Sequence, residues 1–381
     1  MEHEQASKFV TDLLRLMVSR GGSDLFLTAE FPPAIKLDGK IAKVSPQPLT
    51  GQHTLQLARA LMNDKQSAEF ERHKECNFAV APQNVGRFRV NVFQQQGQVG
   101  LVLRTIPQLL PTIDALRLPK VLKEVALEKR GLVIFVGATG SGKSTSLAAM
   151  VDYRNENSFG HIITIEDPIE FLHPHKNCIV TQREVGLDTD NWDAALRNSL
   201  RQAPDVIMMG EIRDRETMEH AVAFSETGHL CLATLHANSA NQALDRILTF
   251  FPDDRRPQLL MDLSMNLKAL VSQRLMARQE GRGRVAAIEL LLNTPLISDL
   301  IFKGQVSELK ELMKRSRELG MQTFDQALFD LYENNEITYE DALRNADSVN
   351  DLRLQVKLHS SRSKKADFAA GTENLTFQQT R

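Results

Sequence analysis

The chain has only three cysteines, Cys76, Cys178 and Cys231, odd in number, far apart and never in a CxxC pair. That pattern excludes a disulfide framework and a cysteine zinc site, and they read as reduced, intracellular thiols. Long apolar runs are also missing: Asp12, Arg15 and Arg20 interrupt the first twenty residues, and no later stretch reaches the ~20 residues that a membrane span needs. The expectation is a cytoplasmic protein with no direct membrane insertion, peripheral to a membrane only through a partner. An excess of either charge is absent too. Lys and Arg total 46 against 48 Asp and Glu, a net charge of −2, which offers no overall attraction to nucleic acid or anionic lipid. Non-specific nucleic-acid binding is disfavoured. No internal repeat is visible.

What is present is ordinary for a soluble globular chain, with 42% hydrophobic and 25% charged residues. The length of 381 residues points to about two domains. Phe9, Leu13, Leu16 and Met17 recur at helical spacing, after which SDLFLTA alternates like a strand. Asp38-Gly39 is a hairpin signal, Thr50 can cap a helix, and GRFRVNVFQQQGQVGLVLRTIP reads as two antiparallel strands around a Gln/Gly turn. Residues 1–106 are therefore expected to form a small α+β domain. Pro107, Pro111 and Pro119 make residues 107–119 a stiff linker. Beyond it GLVIFVG, HIITIE, DVIMMGE and HLCLATLH alternate with helical segments, the signature of a doubly wound α/β sheet with buried parallel strands. After about residue 252 the pattern turns mainly helical, with one apolar run at RVAAIELLLN and breakers or caps at Pro295, Ser307 and Thr323. That places a nucleotide-binding domain at 120–346. Residues 347–381 lose apolar periodicity and are expected to be a disordered polar tail.

The sharpest chemical signal is GATGSGKST, comprising Gly137, Ala138, Thr139, Gly140, Ser141, Gly142, Lys143, Ser144 and Thr145. It satisfies the phosphate-loop spacing, follows an apolar strand and opens a helical segment, as the motif requires. Its glycines let backbone N–H groups face phosphate oxygens, the helix N-terminus adds positive potential, Lys143 reaches the β/γ-phosphates and Ser144 ligates magnesium. ATP and Mg2+ are the implied ligands.

Phosphoryl transfer to water also needs carboxylates to hold metal and align the nucleophile. DVIMMGEIRD delivers Glu211 at a strand end, with Gly210 where a metal-holding aspartate is usual, and ITIEDPIEF places Glu166, Asp167 and Glu170 after another strand. Glu211 is a candidate for metal and water, and Glu166 and Glu170 for the water or the metal's outer shell. His229 and His236 stand seven apart in HLCLATLHANSA, so an unbroken strand would point them to opposite faces. One of them near the γ-phosphate could sense its loss, and His229 is taken as the candidate.

Four blocks now stand in order: GATGSGKST, ITIEDPIEF, RQAPDVIMMGEIRD and HLCLATLHANSA. Together they resemble the Walker A, aspartate-box, Walker B and histidine-box motifs of the secretion ATPase superfamily, whose Walker B strand ends in Gly-Glu. SDLFLTAEFPPAIKLDGKI and GRFRVNVFQQQGQVGLVLRTIP resemble the PAS-like leading domain of type IV pilus retraction ATPases, the PilT/PilU family. The likeness covers about residues 5 to 345. It implies a PAS-like domain followed by a RecA-like ATPase domain with a helical C-terminal part, and a homohexameric ring with ATP at or near subunit boundaries.

In such a ring arginines from the leading domain close the site, for which Arg87, Arg89 and Arg104 are the local candidates, with Arg213, Arg197 and Arg201 behind them. Extension-type relatives carry a longer N-terminal region and a tetracysteine element, neither of which stands here, so retraction and twitching are the implied activities. NTPLISDLIFKG departs from the AIRNL-like helix of PilT-type chains through Ser298 and Asp299. Together with the polar tail this resembles the PilU branch. It implies work beside a PilT-type ATPase and through an inner-membrane platform protein. The alternative is a nucleotide-binding ring component that regulates another ATPase and turns over little ATP itself.

Overall fold

A helix over His3–Ser19 buries Ala6, Val10, Leu13, Leu14 and Met17 on one stripe, the spacing that a surface helix needs to dock. It covers a sheet of short strands: β1 (Asp24–Leu27), β2 (Ala34–Leu37), β3 (Lys40–Lys43), β4 (Glu75–Val80), β5 (Arg87–Gln95) and β6 (Gln98–Ile106). Their order is β3-β2-β1-β6-β5-β4, with every pair antiparallel. The structure is a computed structural model describing residues 3–37, 39–107, 109–281 and 283–362. It divides into two compact units, Met1–Leu109 with Ile169–Leu172, and Leu110–Pro168 with His173–Arg381. Asp38 of the expected hairpin turn lies outside the described residues, although β2 and β3 do pair around it, Leu37 opposite Lys40.

Thr50 caps the helix Gly51–Leu61 and His53 returns the bond, satisfying two N–H groups that the helix itself cannot. Along β5, Phe88, Val90 and Val92 enter the core while Arg87 and Arg89 take the opposite face, as the two-residue period of a strand dictates. The β5–β6 turn has Gln96 at φ 48° and Gly97 at φ 74°. Two positive φ values in succession match the right-handed twist of a two-residue hairpin.

The second unit is built on β7 (Gly131–Val136), β8 (Gly160–Glu166), β9 (Cys178–Glu184), β10 (Val206–Met209), β11 (Leu230–Leu235), β12 (Leu267–Ala277) and β13 (Arg284–Leu292). The order is β13-β12-β7-β11-β10-β8-β9, parallel throughout except for the β12–β13 pair. Side chains alternate between two apolar layers: Leu132, Ile134 and Val136 of β7 join one, and Val133 and Phe135 the other. Burial on both faces is why these strands read as continuous apolar runs. Each large aliphatic side chain so buried contributes roughly 1.5–3 kcal/mol.

Three expectations need correction. The stretch 107–119 is not merely a linker, because Ile113 and Leu118 are buried against Leu122, Val133 and Phe135. Nor is 347–381 polar and disordered from its start. Val349–His359 is a helix capped by Ser348, and it inserts Leu352 and Val356, one helical turn apart, into a core with Phe324, Leu328 and Ala342. Residues 363–381 of the expected tail lie outside the described residues. β12 was also hidden in a region read as helical, where Lys268, Gln273 and Arg274 break its apolar pattern.

Candidate active site

Every parallel strand of the second unit ends on the same side, and the chain delivers its chemistry there. After β7 the phosphate loop turns through Gly140 at φ 78° and Gly142 at φ 89°, and the helix Lys143–Asn157 begins. Non-glycine residues rarely adopt that left-handed backbone. Gly137 is required for a different reason, since a Cβ there would stand 2.4 Å from Ser141 Oγ and 2.8 Å from the Gln273 carbonyl. Lys143 is buried, and its Nζ donates to the carbonyls of Gly137 at 2.8 Å and Ala138 at 3.0 Å, so the ammonium is folded over the loop. Ser141 Oγ is buried without a hydrogen-bond partner, a state that costs free energy unless a ligand completes it. The loop, with Gln273, Arg274, Leu275, Arg284 and Asn238, lines a cleft of about 250 Å3. These features fit a phosphate ligand.

Two carboxylates stand at neighbouring strand ends. Glu166, buried at the end of β8, accepts from Thr164 Oγ1 at 2.6 Å and from Gln182 Nε2 at 3.1 Å. Glu211, just after β10, is partly exposed; its Oε1 is 3.2 Å from His236 Nε2 and its Oε2 is 3.3 Å from Arg213 Nε. Arg213 also reaches Asp167 Oδ2 at 3.2 Å and lies over the Trp192 ring at 5.3 Å. Gly210 replaces the usual aspartate where space is short. A Cβ would approach both the Ile165 carbonyl and the Trp192 ring to 3.3 Å.

Not every predicted residue joins this cluster. His229 precedes β11, whose Leu230 pairs with Gly131 and Leu235 with Val136. It therefore sits at the strand end away from the loop, about 20 Å off for six residues at ~3.3 Å each, with Nδ1 held by Thr227 and the Phe224 carbonyl. The position expected of His229 belongs to His236. In a parallel sheet only a residue following its strand reaches the loop side, and that directional signal was available in the sequence. Glu170 falls in Ile169–Leu172, which groups with the first unit rather than with Glu166 and Glu211. Arg87, Arg89 and Arg104 lie on the sheet of the first unit, Arg89 directly opposite Arg104. Arg104 Nε donates to the buried Asp24 at 2.7 Å. Burial works to raise the Asp24 pKa, but the bonds from Arg104 and Ser23 prevail and hold it below its ordinary value. Arg197 is committed to Asp193, and Arg201 reaches Asn198 at 3.5 Å.

A phosphate loop, carboxylates on adjacent parallel strands and a leading α+β domain define the class: a RecA-like P-loop ATPase preceded by a PAS-like domain. The chain belongs to the type II/IV secretion system protein family, whose model matches residues 72–334. It is 61% identical over 368 residues to the type IV pilus ATPase PilU of Pseudomonas aeruginosa, covering 97% of this chain and 96% of that one. It is 43% identical to the type IV pilus retraction ATPase PilT of the same organism, covering 88% and 98% of the two chains. A crystal structure of the pilus retraction motor PilT with bound ADP superposes with a TM-score of 0.85 at 40% identity, covering 91% of this chain and 99% of the other. Among the described residues no helix is long and apolar enough to cross a membrane.

Proposed function

We propose that this chain is a hexameric motor that couples ATP hydrolysis to type IV pilus retraction, acting beside a PilT-type ATPase and through an inner-membrane platform protein. The observation that carries the reading is the convergence of Lys143, Glu166, Glu211 and His236 at one end of the parallel strands. The PilU and PilT likenesses give that chemistry its setting.

Lys143 and the loop amides from Gly137 to Thr145 bind the phosphates, the ammonium leaving its carbonyl partners for the β/γ oxygens. Ser144 and Glu211 would hold magnesium, which supplies charge neutralisation at those oxygens when bound. Glu211 and Glu166 orient the attacking water and receive its proton, each carboxylate kept in place by its own donors: Arg213 and His236 for one, Thr164 and Gln182 for the other. Positioning of this kind carries most of phosphoryl-transfer catalysis. His236 reports the phosphate state to Glu211. Glu170, four residues beyond the end of β8 but grouped with the first unit, takes no part in this step, and Arg87 and Arg104 serve a neighbouring subunit.

The reading with reduced turnover, a ring component regulating another ATPase, is favoured by one feature. Ser298 is turned inward to the Ser264 carbonyl at 2.7 Å and Asp299 is paired with Lys303 at 2.7 Å, so neither offers the charge of an Arg-Asn pair. A deletion strain tests the direction of work: it is expected to keep surface pili while losing twitching or retracting weakly under load. Loss of surface pili in a background already blocked in retraction would assign the protein to assembly instead.

A further inference from the structure

We propose that Arg274 relays the nucleotide state of the phosphate-loop cleft to the C-terminal helix Val349–His359, through Asn238 on one side and Asp347 on the other. The proposal rests on the reading of that cleft as an ATP site.

Arg274 projects from β12 and lines the cleft beside the phosphate loop. Its Nη2 donates to the Asn238 carbonyl at 3.2 Å and to Asp347 Oδ1 at 2.8 Å, its Nη1 to the Asn345 carbonyl at 2.7 Å, and its guanidinium lies 3.8 Å from the Phe324 ring centroid. One side chain thus joins the histidine-box loop to Phe324, Asn345 and Asp347 of the C-terminal helical part. A rigid planar fork suits such a junction, where a lysine would offer only a point charge.

Both ends of the connection are themselves anchored. Asp347 is shared with Lys310, and its backbone N–H and that of Ser348, the cap of Val349–His359, donate to the Asp325 carboxylate at 2.8 and 3.1 Å. On the other side the loop from His236 to Ala240 is pinned three times: His236 to Glu211, Asn238 to Arg274, and the Ala240 N–H to the buried Glu289 at 2.7 Å. A shift of Glu211 and His236 on arrival or loss of the γ-phosphate must move the Asn238 carbonyl two residues on. Because one Nη2 serves both Asn238 and Asp347, and the Asn238 bond is the longer, that motion changes how firmly Arg274 grips Asp347. Coupling of this kind requires that the Arg274 junction take two arrangements whose balance the nucleotide biases.

The test is hydrogen exchange of the full chain with Mg-ATPγS and with Mg-ADP, together with binding of a fluorescent nucleotide. In the unmodified protein, amides of 349–359 are expected to exchange about threefold or more slowly with the triphosphate analogue than with ADP. Asp347→Asn, outside the cleft, is expected to abolish that difference while still binding nucleotide, and Arg274→Gln, at a residue that lines the cleft, is expected to abolish it at saturating nucleotide. A merely structural bond would raise exchange equally in both nucleotide states and leave the difference intact, which would overturn the relay. So would the absence of any difference in the unmodified protein with the analogue bound. Should Arg274→Gln not fold, Asp347→Asn decides alone. Failure of the unmodified protein to bind nucleotide would overturn the ATP reading itself, and with it the relay.

Discussion

His236 Nε2 and Glu211 Oε1 stand 3.2 Å apart across the ends of strands β11 and β10. The contact joins the histidine box to the Walker B carboxylate, and it assigns to His236 the place expected of His229 from the sequence. His236→Ala should lower ATP turnover by about tenfold or more, the scale for losing a group that positions a catalytic carboxylate. His229→Ala, at the far end of β11, should stay within about twofold of the unmodified rate. Equal losses in steady-state phosphate release would contradict this assignment.

Arg89 and Arg104 face each other on β5 and β6, and Arg104 is braced by Asp24. An arginine acting on a neighbour's nucleotide can be complemented in a mixed ring. Chains carrying Arg87→Ala or Arg104→Ala, mixed with Lys143→Ala chains, should regain part of the activity that each lacks alone. Mixed rings that form and remain inactive would remove the arginines from the site.

His173 is buried, and its backbone N–H donates to Oε1 of the same Gln182 that holds Glu166. Burial pushes its pKa down to about 4, with Asp152 opposing the shift and Lys176 adding to it. The unfolded chain takes up this proton near its ordinary 6.5, so the contribution to stability is complete above that pH and is lost as pH falls from about 6.5 toward 4. The loss is on the order of a few kcal/mol. Urea midpoints should fall over that window, and His173→Gln should flatten the fall. An unchanged slope in the variant would place the pH response elsewhere.

How much of this was legible depends on how local each signal is. Gly137 to Thr145 is contiguous, its glycines and Lys143 have fixed mechanical roles, and buried strands such as β7 and β11 leave unmistakable apolar runs. Other features were present but masked. Leu352 and Val356 carry a helical repeat behind a Ser348 cap, which the surrounding polar residues disguised as a tail. His236 could have been preferred to His229 from strand direction alone. Arg274 was beyond reach, because its partners Asn238 and Asp347 lie 36 and 73 positions away and meet only when β12 pairs with β7. Gly210 was seen as a missing aspartate, whereas the approach of Trp192 and Ile165, which leaves little room for a Cβ, is a tertiary fact.

Phosphate release by the purified chain, alone and with a PilT-type partner, tests the central claim most directly when read beside Lys143→Ala and Glu211→Gln. The unmodified chain should hydrolyse ATP, both variants should fall by about a hundredfold or more, and Glu211→Gln should still bind nucleotide, since the amide keeps the shape of the carboxylate but cannot accept the proton. Turnover in either variant at the unmodified rate would contradict the assignment of this cleft as the hydrolytic site.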